Sequence, residues 1–158
     1  MMEPSFEKLL ALLAEAGVEF VLVGGLAVTL QGYVRFTEDV DLLIRDSQEN
    51  LIHLLDVLAA YGEGHARDLA LDDFTDEEGC IRIIEETEQC QIDLFTRLSG
   101  RHFADVIFDA DTMSIGGHAI RYASKSSLIG WKENSHREKD RLDALALKEL
   151  QRNPRAFD

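Results

Sequence analysis

Hydrophobic side chains recur along this chain with two spacings, one of three to four residues and one of two, and the switches between them mark out the elements. Phe6, Leu9, Leu10, Leu13 and Ala16 fall at helical spacing, which predicts a first amphipathic helix capped by Ser5 and stopped at Gly17. Val18 to Val23 reads as a buried strand, after which Gly24-Gly25 turns the chain into a short helix, Leu26 to Gln31. A strand from Asp39 to Arg45 follows, then a helix capped by Asp46 or Ser47 whose Leu51, Leu54, Leu55 and Leu58 form one stripe. From Glu63 to Glu78 the sequence is acidic and irregular, with Leu69 to Leu71 as a predicted edge strand.

Cys80 to Glu85 and Gln89 to Phe95 form the arms of a hairpin turning near Glu86-Thr87-Glu88. A second hairpin, Thr112 to Ile115 and His118 to Ala123, turns at Gly116-Gly117. A helix starting at Ser124 or Ser126 runs through Trp131, and a last one from Ser135 to Leu150 directs Leu142, Leu145 and Ala146 inward. Strands alternating with helices in this way predict a mixed α/β or α+β sheet layered with helices.

A chain of 158 residues is expected to form one domain, 1–158, burying about 70% of the surface its unfolded form exposes. Residues 124–158 form a helical segment within it. No window approaches the roughly 18 uninterrupted apolar residues of a membrane span, and the chain reads as cytoplasmic with no membrane partner. Cys80 and Cys90 sit on opposite hairpin arms but out of register, so both read as buried free thiols. Net charge is −14, unevenly placed: residues 1–120 hold 7 basic and 24 acidic side chains, residues 121–158 hold 9 basic and 6 acidic. A polyanionic ligand is therefore met by the basic tail or through metal ions. The five histidines show no paired metal spacing, which argues against a zinc site. Trp131 reads as core.

Asp39 and Asp41 lie two apart in an apolar run, so on a strand both project from one face, roughly 6 to 7 Å apart along it. Val40, Leu42 and Ile44 then anchor the opposite face. Gly24-Gly25, after a buried strand and at a helix start, lets backbone N–H groups approach a ligand closely, and phosphate oxygens are the expected guests. Asp93 repeats the strand-borne carboxylate between Ile92 and Leu94 and is the candidate third ligand or proton acceptor. Three carboxylates beside a glycine turn suit phosphoryl or nucleotidyl transfer, where Mg²⁺ or Mn²⁺ neutralises charge on entering and leaving oxygens. Arg35 and Thr37, just ahead of the acidic pair, can reach a phosphate or orient an aspartate, and Lys132 in the basic tail can neutralise the leaving phosphates.

Gly24-Gly25, Asp39-x-Asp41 and Asp93 in Gln-Ile-Asp-Leu-Phe resemble the polymerase-β-like nucleotidyltransferase superfamily over roughly residues 15 to 100. With Gly32, Arg35-x-Thr37, Lys132 and Arg137-x-Lys139-Asp140 added, the pattern is similar to the small bacterial nucleotidyltransferases of the abortive-infection toxin type. The first half is also similar to lincosamide-modifying nucleotidyltransferases. The resemblance implies a mixed β-sheet with helices packed mainly on one face. It implies Asp39 and Asp41 as metal ligands, Asp93 as ligand or base, and Gly24-Gly25 as the phosphate turn. One departure stands out: Gly25 occupies a position where many superfamily members carry serine, so only backbone donors remain there.

The function expected is transfer of a nucleoside monophosphate from an NTP to an acceptor hydroxyl on an RNA end, a protein or a small molecule, with pyrophosphate released. A toxin–antitoxin role, with an antitoxin partner, is implied by the resemblance alone. Two alternatives stand beside it: a catalytically silent nucleotide- or partner-binding module of the same fold, and a glycosyltransferase using Asp39-x-Asp41 as its metal motif.

Overall fold

A computed structural model describes residues 2–158. In chain order it contains helix α1 (Pro4–Glu15), strand β1 (Phe20–Val23), helix α2 (Gly24–Leu30), strand β2 (Asp39–Ile44) and helix α3 (Gln48–Ala59). Strands β3 (Ile81–Glu85) and β4 (Cys90–Phe95), helix α4 (Phe103–Ile107) and strands β5 (Asp111–Ile115) and β6 (His118–Tyr122) follow. Helices α5 (Lys125–Lys132) and α6 (Glu138–Arg152) complete the order. The six strands make one mixed sheet in the order β3-β4-β2-β1-β6-β5. Strand β2 lies near its middle, antiparallel to β1 and parallel to β4.

Local chemistry explains most boundaries. Proline at the first turn of α1 supplies a preset φ where no N–H partner is needed, and Glu3 precedes it without a side-chain cap. Ser5, expected as the cap, is therefore already inside the helix. At the other end Gly17 adopts φ +77°, and the N–H groups of Gly17 and Val18 close back on the carbonyls of Ala14 and Leu13 at 3.0 Å each. Ser47 caps α3 by accepting from the Asn50 N–H, and Ser124 caps α5 by accepting from the Ser127 N–H.

Two apolar clusters sandwich the sheet. Phe6, Leu9, Leu10 and Leu13 of α1 and Leu51, Leu54 and Leu58 of α3 pack on Leu22, Val40, Leu42 and Ile44. Phe103 and Val106 of α4, Leu128 of α5, and Leu147 and Leu150 of α6 pack with Val21, Val23 and Leu43. The mixed sheet is as expected, but its helices are shared between two faces instead of lying mainly on one. The central strands β1, β2 and β4 therefore bury both alternating sets of their residues along part of their length.

Four local expectations change. Leu69 to Leu71 is no strand; the segment folds as two 3₁₀ turns, His65–Asp68 and Leu71–Asp73, against α3. Cys80 is exposed, and only Cys90 is the buried thiol. Leu142 and Leu145 are 50% and 64% exposed, and α6 instead turns Asp143, Ala144, Ala146, Leu147 and Leu150 inward. Helix α4, too short to show a period, is an addition. Among the described residues no helix is long and apolar enough to cross a membrane.

Candidate active site

The parallel pairing of β2 with β4 sets Asp41 directly beside Asp93, and Asp39 beside Gln91. Side chains in register on adjacent strands share a face, so the sheet gathers three carboxylates from two segments some fifty residues apart. One carboxylate oxygen from each of Asp39, Asp41 and Asp93 lies within 4.8 Å of the others. On the other flank of β2, Val23 pairs with Asp41, which delivers the β1–α2 turn to the same spot.

That turn is glycine for a reason the sequence does not show. Gly24 adopts φ +70°, and a Cβ there would stand 1.9 Å from Asp41 Oδ2. Any side chain would displace the carboxylate, so Gly24 makes room for Asp41 as well as for a ligand. Gly25 is less tightly bounded: its Cβ would meet Arg35 Nη2 at 3.2 Å and Thr37 Oγ1 at 3.3 Å. Helix α2 is only seven residues long, which limits its dipole. The local N–H groups matter more at this turn.

Hydrogen bonds orient the acidic group. Thr37 Oγ1 lies 3.3 Å from the Asp39 carbonyl oxygen, and Gln91 Nε2 donates to Asp39 Oδ2 at 3.3 Å. Arg82 of β3 grips Asp93 with both prongs, Nε to Oδ1 at 2.9 Å and Nη2 to Oδ2 at 3.2 Å. Sequence reasoning missed Arg82. It lies directly across the hairpin from Asp93, so the signal was the register of the two arms.

Asp41 has no such support, and its Oδ1 is buried without a hydrogen-bond partner. Burial, with Asp39 and Asp93 adding repulsion, pushes its carboxyl up to about 8. Burial and Asp93 also raise Asp39. Like charges this close cannot all ionise without a counter-charge. An orphaned buried oxygen within a set of carboxylate donors fits a hard divalent cation such as Mg²⁺ or Mn²⁺.

Beyond the carboxylates lies a partly buried cationic pair. Arg35 bonds to Asp143 through Nη1, and Lys132 Nζ lies 3.0 Å from Asp143 Oδ2 and 3.1 Å from Asp140 Oδ1. Asp143 is 1% exposed, yet the sequence reading passed over it. Its neighbours Leu142 and Leu145 look like the core stripe of α6, which disguised an inward-facing aspartate. Burial lowers Lys132, against the opposing pull of Asp140. Burial raises Asp140, but bonds from Ser135 and Lys132 outweigh it and hold the carboxyl below its usual range. The Lys132 charge is felt at Asp41, and the Arg82 charge at Asp39. The fold thus brings Gly24, Gly25, Arg35, Thr37, Asp39, Asp41, Asp93 and Lys132 into one neighbourhood. It also commits Arg35 to Asp143 and Lys132 to Asp140 and Asp143 as internal partners.

Comparison with known proteins agrees with this geometry at the level of family and fold. The model of the family described as "Nucleotidyl transferase of unknown function (DUF2204)" matches residues 4–155, and the chain belongs to that family. The fold is similar to the crystal structure of an antigenic nucleotidyltransferase-like protein from Paracoccidioides brasiliensis. That likeness has a TM-score of 0.55 and 16% sequence identity, covering 95% of this chain and 78% of the other. No curated protein sequence gives a significant match.

Proposed function

We propose that this member of a nucleotidyl transferase family works as one unit to move a nucleoside monophosphate from an NTP to an acceptor hydroxyl. The observation that carries the reading is the unpartnered, buried Asp41 Oδ1 among three converging carboxylates. Asp39, Asp41 and Asp93 would hold the divalent cations, Mg²⁺ or Mn²⁺. When bound, these supply positive charge against the entering and leaving oxygens.

The roles of the remaining residues follow from their places. Backbone N–H groups at Gly24-Gly25 receive phosphate oxygens, with no side chain in the way. Arg35 and Lys132, anchored by Asp143, hold positive charge next to the triphosphate; Thr37 steadies Asp39. The acceptor oxygen attacks the α-phosphorus, its proton passes to Asp93, and the bond to the β-phosphate oxygen breaks to release pyrophosphate. Pre-set charge of this kind acts most strongly in a site that excludes water.

The acceptor belongs to a class that brings its own surface, an RNA end or a protein, in preference to a small molecule enclosed by this chain. The acidic first 120 residues weigh against RNA. A toxin role with an antitoxin partner rests on the similarity of motifs described above. A specific observation favours a second reading, a silent binding module: Arg82 engages both oxygens of Asp93. Incubation with each α-labelled NTP, Mg²⁺ and a cell extract separates the two. Label on RNA, protein or a small molecule, lost in Asp41→Asn, supports transfer; NTP binding without pyrophosphate release from any acceptor pool supports the silent module.

A further inference from the structure

The loop between α2 and β2 faces α6 across a cavity of about 440 Å³, within the size range of small-ligand sites. Tyr33, Phe36 and Leu142 line it together with Arg35, Glu138, Lys139 and Asp143, and Arg35 also reaches the Gly25 turn. We infer that this cavity receives the nucleobase of the NTP, stacked against Phe36 and Tyr33. The inference rests on the nucleotidyltransferase reading and extends it to the part of the ligand that neither the carboxylates nor the glycine turn would touch.

Three observations converge on it. Phe36 is 79% exposed and Leu142 50% exposed, so two large apolar side chains stand in water around one opening. Leaving such surface hydrated is unfavourable, and a flat, weakly polar ring laid on it recovers much of the cost. Tyr33 is already set in place, its ring tilted 47° against Phe157 with centroids 5.3 Å apart, so little ordering remains to be done on binding. Finally, the position is right for the ligand's far end. Arg35 Nη2 stands 3.2 Å from where a Gly25 Cβ would be, while Nη1 of the same guanidinium holds Asp143 in the cavity wall. One side chain thus separates the proposed phosphate turn from the aromatic cavity, matching the order of phosphate, sugar and base in a nucleotide.

Stacking is tolerant of base identity, because every base offers a π-face. The cavity therefore contributes affinity more than choice among the four bases.

Calorimetric titration of the Mg²⁺-loaded protein with NTP and, separately, with inorganic tripolyphosphate and with a short single-stranded oligoribonucleotide tests this. Phe36→Ala and Leu142→Ala both alter exposed positions, and circular dichroism checks that each variant is folded. Phe36→Ala is expected to weaken NTP binding about tenfold, Leu142→Ala several-fold, with tripolyphosphate binding unchanged in both. NTP affinity equal to wild type in both variants overturns the cavity assignment while leaving the transferase reading standing. Equal weakening of NTP and tripolyphosphate overturns it too, since the effect then lies at the phosphates. Loss confined to a short single-stranded oligoribonucleotide would assign the cavity to the acceptor instead. If wild type binds neither NTP nor tripolyphosphate, the transferase reading falls and takes this inference with it.

Discussion

Replacing Asp41 with asparagine is expected to stabilise the metal-free protein at alkaline pH while removing its response to divalent cations. The carboxyl ionises at about 8 in the folded chain, against 3.8 without that environment. Between those values the folded state keeps a proton that the unfolded state has released. The unfolded state therefore binds fewer protons, and stability falls as pH rises through this window, the reverse of a salt-bridged aspartate. The window from 3.8 to pH 7, at about 1.36 kcal/mol per pH unit, gives a ceiling of ~4 kcal/mol. Solvent and neighbouring side chains in a half-open cleft screen roughly half of that, leaving ~2 kcal/mol, or about 4 to 8 °C in melting temperature for a chain of this size. Asparagine keeps the shape beside Gly24 and carries no charge. Melting curves at pH 5 and pH 8, each with EDTA and with Mg²⁺, provide the assay. Asp41→Asn should exceed wild type by several degrees at pH 8 in EDTA and by little at pH 5, and Mg²⁺ should raise only the wild type. A variant that melts below wild type at pH 8 in EDTA, or gains as much from Mg²⁺, would refute the account of a strained, cation-seeking carboxylate.

Other substitutions probe the rest of the site. Asp143→Ala leaves Arg35 and Lys132 without their buried counter-ion and should cost about 3 to 5 kcal/mol, read from urea denaturation; a loss under 1 kcal/mol would contradict the buried ion group. Gly24→Ala forces its methyl group against Asp41 Oδ2 at a positive φ, so divalent-cation affinity measured by Mn²⁺ paramagnetic resonance should drop at least tenfold. Unaltered Mn²⁺ binding would show that the glycine has another purpose. Arg82→Gln releases Asp93 from a half-exposed partner. It should change metal-free stability little, since the pair is screened by solvent, and tighten Mn²⁺ binding several-fold; weaker binding would instead make Arg82 a support for the cation site.

The carboxylates of β2 and β4 were legible because period-two alternation is local: Ile92 and Leu94 announce which way Asp93 faces, as Val40 and Leu42 do for Asp39 and Asp41. The fold class followed from the same alternation. Partners of those residues were not legible, since Arg82 is matched to Asp93 by hairpin register and Asp143 to Arg35 by the docking of α6. Helix α6 was misphased by its leucines, two of which stay in solvent while alanines and an aspartate turn inward. Once the helix is placed, the inward aspartate is explained by the two cations it meets. The acidic stretch before β3 offered only a brief apolar triplet, which fits a 3₁₀ turn as well as a strand.

Because α6 supplies the counter-ion for Arg35 from 108 positions downstream, every strand of the sheet is synthesised before this charge group can close. At about 5 to 20 residues per second, the 21 positions from Tyr122, the last strand residue, to Asp143 take roughly 1 to 4 s. Until Asp143 is made, Arg35 has no buried anchor and the cavity wall is missing. The charge group thus closes only after every carboxylate-bearing strand has been made.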